Sequence, residues 1–242
     1  MACFLVLFFQ HFIQVPVFAG EILVVKYSIG QTQQGRNIAV EQFGIGAEKV
    51  VLMATIHGTE MIGTPLMHLL TDELISHPNW LEGRTLYIIQ LANPDGFVEG
   101  IRGNRENVDI NRNFPTENFG RGWFNGDQPL VAPETAVLMD FFTQIRPERV
   151  MTIHQPLKGI DYDGPADDLA THLSKISGIR VHRLGSRSGS LGTFVGVEMG
   201  CPIITLEIPN QANDRDSQWL WDHYGVLLET FIRYEPSTTQ SN

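Results

Sequence analysis

Apolar and polar positions along the chain mark out short strands alternating with helices. Residues 21–28 and 37–42 alternate apolar with polar side chains, which predicts two strands joined by the polar turn 30–36. Gly44-Ile45-Gly46 leads into an apolar run at Val50 that breaks at Ala54, as a buried strand does, and delivers His57-Gly58-Thr59-Glu60. Thr59 is placed to cap a helix through residues 61–66, with Pro65 restricting where that helix begins. Helical spacing over residues 64–76 is stopped by Pro78. A second apolar run, residues 85–90, meets the turn-forming Asn93-Pro94-Asp95-Gly96. Residues 97–128 have little periodicity but too many aromatic side chains for disorder, and so long a loop inside a compact domain points to function. Pro133–Ile145 then reads as a helix with proline in its first turn, and residues 149–153 as a strand ending at His154. Residues 165–177 read as a helix closed by Gly178, Ile203–Glu207 as a strand, and residues 216–234 as an amphipathic helix.

This alternation predicts an α/β fold: three layers, α/β/α, around a central mixed, mostly parallel twisted sheet, with polar residues gathered past the strand ends at its carboxyl edge. Among the 242 residues there is no linker, repeat or low-complexity tract, so residues 21–242 are expected to form one catalytic domain. The formal charge of −10 and pI near 5.2 argue against a nucleic-acid partner and suit an amine-bearing substrate only weakly. Residues 1–20 hold no Lys, Arg, Asp or Glu and end in small residues, as a secretory signal does, although the usual positive start is missing. Gln10, His11 and Gln14 interrupt the segment too often for a comfortable membrane span. Its removal would leave a periplasmic or secreted protein with no stable membrane association; its retention would point to the cytoplasm. The two cysteines, Cys3 and Cys201, offer no disulfide framework, and Cys201, just before Pro202, reads as a core residue.

Three of the predicted strands end in groups that bind metals or move protons: His57 with Glu60, then His154, then Glu207. Two histidines and one glutamate form a zinc set with a coordination position left open, and a further carboxylate is what such a site needs as general base. Each residue alone has a plainer explanation, a satisfied turn histidine or an ion pair at a strand end. A carboxylate after Ile203-Ile204-Thr205-Leu206 is nevertheless costly to bury unpaired. Together the four residues point to a metal site.

The loop between them carries a further pattern. Asn93-Pro94-Asp95-Gly96, Arg102 and Val108-Asp109-Ile110-Asn111-Arg112-Asn113-Phe114-Pro115, taken with His57-x-x-Glu60, His154 and Glu207, closely resemble the zinc carboxypeptidases of the M14 class over about residues 30–210. The resemblance implies one zinc ion held by His57, Glu60 and His154. It implies that Glu207 is the general base, which takes a proton from the attacking water and passes it to the leaving amine. Arg102 matches the arginine that stabilises the oxyanion, with Arg105 close enough to be confused with it. Asn111 and Arg112 match the pair that holds the carboxylate of the residue beyond the cut. Guanidinium forks suit both tasks. Asp95 is expected to orient a ligand histidine or fix the turn.

A narrower resemblance lies in His154-Gln155-Pro156-Leu157, Asp161-Tyr162-Asp163-Gly164-Pro165-Ala166 and Gly185-Ser186-Arg187-Ser188-Gly189-Ser190-Leu191-Gly192. These segments look like the bacterial murein peptide amidases of the MpaA type, which implies a murein peptide as substrate and the γ-D-glutamyl–meso-diaminopimelate bond as the one cut. Asp161 and Asp163, in the loop after His154, are then candidates to meet the distal ammonium of diaminopimelate, the plainer reading being solvated loop acids. Two departures stand out. No tyrosine occurs between Tyr162 and Tyr224, so the substrate-capping tyrosine of digestive members has no counterpart, and Asn107 stands where relatives carry glycine before Val-Asp. A general metallocarboxypeptidase and a deacylase of the succinylglutamate desuccinylase kind would share the metal set, and Asn111-Arg112 favours peptides over the latter. An inactive wall-peptide-binding module is the non-enzymatic alternative, and the intact ligand set with Glu207 speaks against it.

Overall fold

In the computed structural model, residues 17–19 and 22–236 are described. Along the chain run β1 (Val17–Ala19), β2 (Ile22–Gln31), β3 (Asn37–Phe43), β4 (Glu48–Ala54), α1 (Gly63–Ser76), β5 (Arg84–Ile89) and α2 (Pro94–Glu99). They are followed by α3 (Pro133–Ile145), β6 (Arg149–His154), β7 (Gly159–Asp163), α4 (Asp167–Ser177), β8 (Ile203–Glu207) and α5 (Ser217–Arg233). The strands form one eight-stranded sheet in the order β1-β2-β3-β5-β4-β6-β8-β7. Apart from β1, the expected signal segment 1–20 lies outside the described residues.

Side chains on the central strands alternate between two buried faces. On β4, Val50, Leu52 and Ala54 join a core with Leu66 and Leu70 of α1, Leu173 of α4 and Leu227 of α5. Val51 and Met53 point the other way, into a second core with Leu138, Phe141 and Phe142 of α3. Covering both faces lets β4, β5 and β6 carry near-continuous apolar runs, as parallel strands without a solvated side do. The three layers are therefore the expected ones. The β5-β4-β6-β8 pairings are parallel, whereas β1-β2-β3-β5 and β8-β7 pair antiparallel, so the parallel part is the centre of a mixed sheet.

Three local expectations are corrected. Asp161 and Asp163 do not sit in a loop but on β7, whose Ile160 and Tyr162 enter the core, leaving both aspartates on the opposite face. Asn93 opens a helix rather than a turn, its Oδ1 accepting the Gly96 N–H at 2.9 Å as an N-cap with Pro94 behind it. Thr59 caps nothing: α1 begins at Gly63, where an added Cβ would stand 2.8 Å from that of Ala54, so the helix start is set by packing on β4. Residues 97–128 are ordered but mostly irregular, with one 3₁₀ turn at Ile110–Arg112. Cys201 is buried, its thiol donating to Pro147 O at 3.1 Å. No described helix is long and apolar enough to cross a membrane.

Candidate metal centre and catalytic cleft

The parallel neighbours β4, β6 and β8 end at the same edge, and their last residues converge. Beyond Ala54 the backbone reverses through Thr55, which holds a positive φ of 52° and accepts the strain of that region for a non-glycine residue. Its hydroxyl lies 3.3 Å from Glu60 O and 2.8 Å from Thr64 Oγ1, tying the turn together. Gly58 passes against α2 so closely that a Cβ there would lie 2.0 Å from Gly96 C, which only glycine tolerates. His57 and Glu60 are thereby turned toward His154, the last residue of β6.

Ligand atoms of His57, Glu60 and His154, all three buried, lie within 4.8 Å of one another. Glu60 faces both rings, Oε1 at 2.8 Å from His57 Nδ1 and Oε2 at 2.8 Å from His154 Nδ1. His57 Nδ1 lies off the line a hydrogen bond needs and is a buried nitrogen without a partner. Two imidazole nitrogens and a carboxylate, one nitrogen left unsatisfied and aimed at the others, are a donor set that fits zinc. The other nitrogen of His57, Nε2, lies 3.0 Å from Asp109 Oδ1, which fixes the ring and its tautomer. Burial alone would raise the Glu60 carboxyl, but the bond to His154 and the nearby His57 ring hold it far below the usual carboxylate range. Asp109 is held low in the same way by His57, against its own burial. Burial would lower His57, yet its bond to Asp109 and the charges of both acids raise it.

Asp109 is a functional residue whose partner the sequence did not reveal: it lies 52 positions from His57, and only its place in the Val108-Asp109 run hinted at it. Asp95 neither orients a ligand histidine nor fixes its own turn, which is helical; it braces the turn between β2 and β3 instead. It accepts from Thr32 Oγ1 at 2.8 Å, from Gln34 N at 3.0 Å and from Arg36 Nη1 at 2.6 Å, all in the β2–β3 turn. Arg102 reaches the centre, with Nη1 2.7 Å from Glu60 Oε1 and Nε 3.1 Å from Asp109 Oδ2. Arg105 points to the surface, onto Glu99. Asn107 sits at φ 62°, so it keeps the left-handed turn that glycine would make, a conformation asparagine tolerates.

A cleft of about 300 Å³ opens over the triad, lined also by Arg102, Asn111, Arg112, Asp161, Asp163 and Glu207. Every sequence-predicted site residue therefore meets in one place. Asn111 Oδ1 accepts from Leu191 N at 2.8 Å, and the Arg112 guanidinium donates to Asn111 O at 2.5 Å. Burial pushes the Glu207 carboxyl above its ordinary value, with Glu60 adding to the shift and His154 opposing it. Leu157 N donates to Glu207 Oε2 at 3.3 Å. A larger cavity, about 870 Å³, opens on the other side of Glu207 between α4 and α5 and contains none of the triad.

Comparison with known proteins agrees with this geometry. The sequence model of the zinc carboxypeptidase family matches residues 19–162, more than half of the chain. Murein peptide amidase A of Escherichia coli K12 is 29% identical over 171 residues, covering 63% of this chain and 68% of that protein. Carboxypeptidase SOL1 of Arabidopsis thaliana is 32% identical over 148 residues, 53% of this chain and 28% of that one. Among solved structures, the murein-tripeptide amidase MpaA of Escherichia coli O157 superposes with a TM-score of 0.69 at 23% identity, over 88% of this chain and 93% of that one. Carboxypeptidase A of Helicoverpa armigera superposes at 0.67 and 19% identity, over 87% and 66%. The shared sheet, the convergent His57, Glu60 and His154 and the matched segment place the chain in the zinc carboxypeptidase family, as a metallopeptidase whose ion is zinc.

Proposed function

We propose that this enzyme hydrolyses the γ-D-glutamyl–meso-diaminopimelate bond of murein peptides. The observation that carries the reading is the charge pattern of the cleft: Arg112 with Asn111 on one side of the triad and Asp161 with Asp163 on β7. A leaving residue with a carboxylate at one end and an ammonium at the other matches that pattern, and murein peptide amidase relatives at 29% identity support it. His57, Glu60 and His154 hold the zinc, which when bound polarises the scissile carbonyl and acidifies water.

The chain's own residues do the rest. Glu207 takes a proton from the attacking water and returns it to the departing amine; its pKa, raised by burial, makes it a stronger base for the first half of that task. Arg102 supplies fixed positive charge beside the carbonyl oxygen as the tetrahedral centre forms. Asn111 and Arg112 hold the carboxylate next to the cut, and Asp161 and Asp163 face the distal ammonium.

The test follows free diaminopimelate released from L-Ala-γ-D-Glu-meso-diaminopimelate, with and without a chelator, beside Glu207→Gln. Release abolished by the chelator and lowered at least about 1,000-fold by the substitution is expected. A zinc-loaded protein that trims ordinary C-terminal residues but not this peptide would instead be a general carboxypeptidase.

A further inference from the structure

Three guanidinium groups line the cleft, those of Arg102, Arg112 and Arg187. Arg102 is committed to Glu60 and Asp109, and Arg112 to the Asn111 carbonyl and the carboxylate-binding position beside it. Arg187 has no such commitment. Among the described residues its guanidinium makes no hydrogen bond and no ion pair. Unpaired arginines are ordinary on open surfaces, but this one stands on a backbone that is held from three sides.

Its own carbonyl accepts from Ser190 N at 3.1 Å and from Thr193 Oγ1 at 2.6 Å. Two residues on, Gly189 adopts φ +63°, and a Cβ there would lie 2.0 Å from Arg112 O, so the loop is pressed onto the Arg112 backbone. On the near side, Leu184 N donates to Asp161 Oδ1 at 2.8 Å and Ser186 Oγ to Asp163 Oδ1 at 2.6 Å. Each aspartate keeps its second oxygen. The backbone of Arg187 is thus fixed between the Arg112 backbone and the β7 aspartates, its exposed side chain lines the cleft, and its charge acts on both groups: it adds to the burial that lowers Arg112 and opposes the burial that raises Asp161.

A side chain that satisfies this end of the cleft must carry a cation for Asp161 and Asp163 and, on the same end, an anion for Arg187. Lysine has the first and lacks the second. Diaminopimelate has both on one carbon. We infer that Arg187 is a specificity-determining residue, which binds the distal carboxylate of the leaving residue and so selects diaminopimelate over lysine. This rests on the murein-peptide reading above, and nothing in the sequence patterns assigned a role to Arg187.

The experiment compares L-Ala-γ-D-Glu-meso-diaminopimelate with L-Ala-γ-D-Glu-L-Lys, two substrates that differ by that one carboxylate, on zinc-loaded full-length wild type, Arg187→Gln and Arg187→Lys. Arg187→Gln is expected to lower kcat/KM for the diaminopimelate peptide by about 10- to 100-fold, mainly through KM, and to change the lysine peptide less than about 3-fold. Arg187→Lys should recover part of the loss. Equal losses on both peptides, or none on either, would overturn the assignment. Calorimetric binding of free meso-diaminopimelate and of L-lysine to the same proteins separates the two readings. If neither peptide is cut but wild type still prefers diaminopimelate and Arg187→Gln does not, the amidase reading fails and Arg187 keeps its role. If peptides are cut without that preference, the role of Arg187 fails alone.

Discussion

At the scale of single residues, the metal centre depends on side chains that never touch the metal. Asp109 holds His57 through Nε2 and Arg102 through Nε, so one carboxylate positions both a metal-site histidine and the guanidinium beside it. Replacing it by asparagine keeps the shape and removes the charge. Asp109→Asn is expected to weaken zinc about 10- to 100-fold, measured by competition with a chromogenic chelator. An affinity equal to wild type would mean that His57 is held by backbone alone. The ligands, Glu207 and the Asn111-Arg112 pair were legible in the sequence because each sits at a strand end or in a dense motif. Asp109 as an orienting group was not, because a bond across 52 residues leaves no local trace.

Among the elements, helices with clean apolar spacing were read nearly to the residue, Pro133–Ile145 among them. Strand β7 was missed for a physical reason: five residues long, with a carboxylate at every second position, it looks like a polar loop until Ile160 and Tyr162 are seen in the core. The π-helical segment Gly192–Glu198 has no sequence signature at all. The C-terminal end of α5 shows a device of another kind. Arg149, on β6, donates through Nε to Phe231 O at 2.8 Å and through Nη2 to Ile232 O at 2.6 Å, and also pairs with Glu48. It satisfies carbonyls that the helix end would leave bare, and its charge complements the helix dipole. Arg149→Met should therefore cost about 2–4 kcal/mol in urea unfolding, with zinc content unchanged in the folded protein. A loss below about 0.5 kcal/mol would show that water replaces the guanidinium at no cost.

For the molecule as a whole, burial couples stability to alkaline pH. The Cys201 thiol is pushed from its ordinary 9.0 up to about 12, by burial first and by Glu148 in addition. Because the folded state keeps the proton while the unfolded chain releases it, this stabilisation is complete below pH 9 and is lost between about pH 9 and 12. In that window unfolding free energy should fall by about 1.4 kcal/mol per pH unit from this group, and Cys201→Ala should remove that part of the slope. Tyr27, also raised to about 12 by burial, adds to the same trend from about pH 10 in both proteins. Parallel stability curves for wild type and Cys201→Ala between pH 9 and 10.5 would refute the coupling.

The strand order has a last consequence. The zinc ligands and Glu207 stand at or just past the ends of β4, β6 and β8, three neighbours locked on both sides by ladders. Asp161 and Asp163 stand on β7, an edge strand whose one ladder is to β8 and whose other side meets the chain at the Ile160–Val181 bridge. The loop bearing Arg187 lies wholly beyond residue 162, where the match to the family ends. On the reading proposed above, Asp161, Asp163 and Arg187, which choose the leaving side chain, are thus set on an edge strand and a following loop, apart from the zinc ligands and Glu207. A lineage, or an engineer, can exchange the edge strand and its loop to accept another leaving group, while the machinery that cleaves the bond is inherited unaltered.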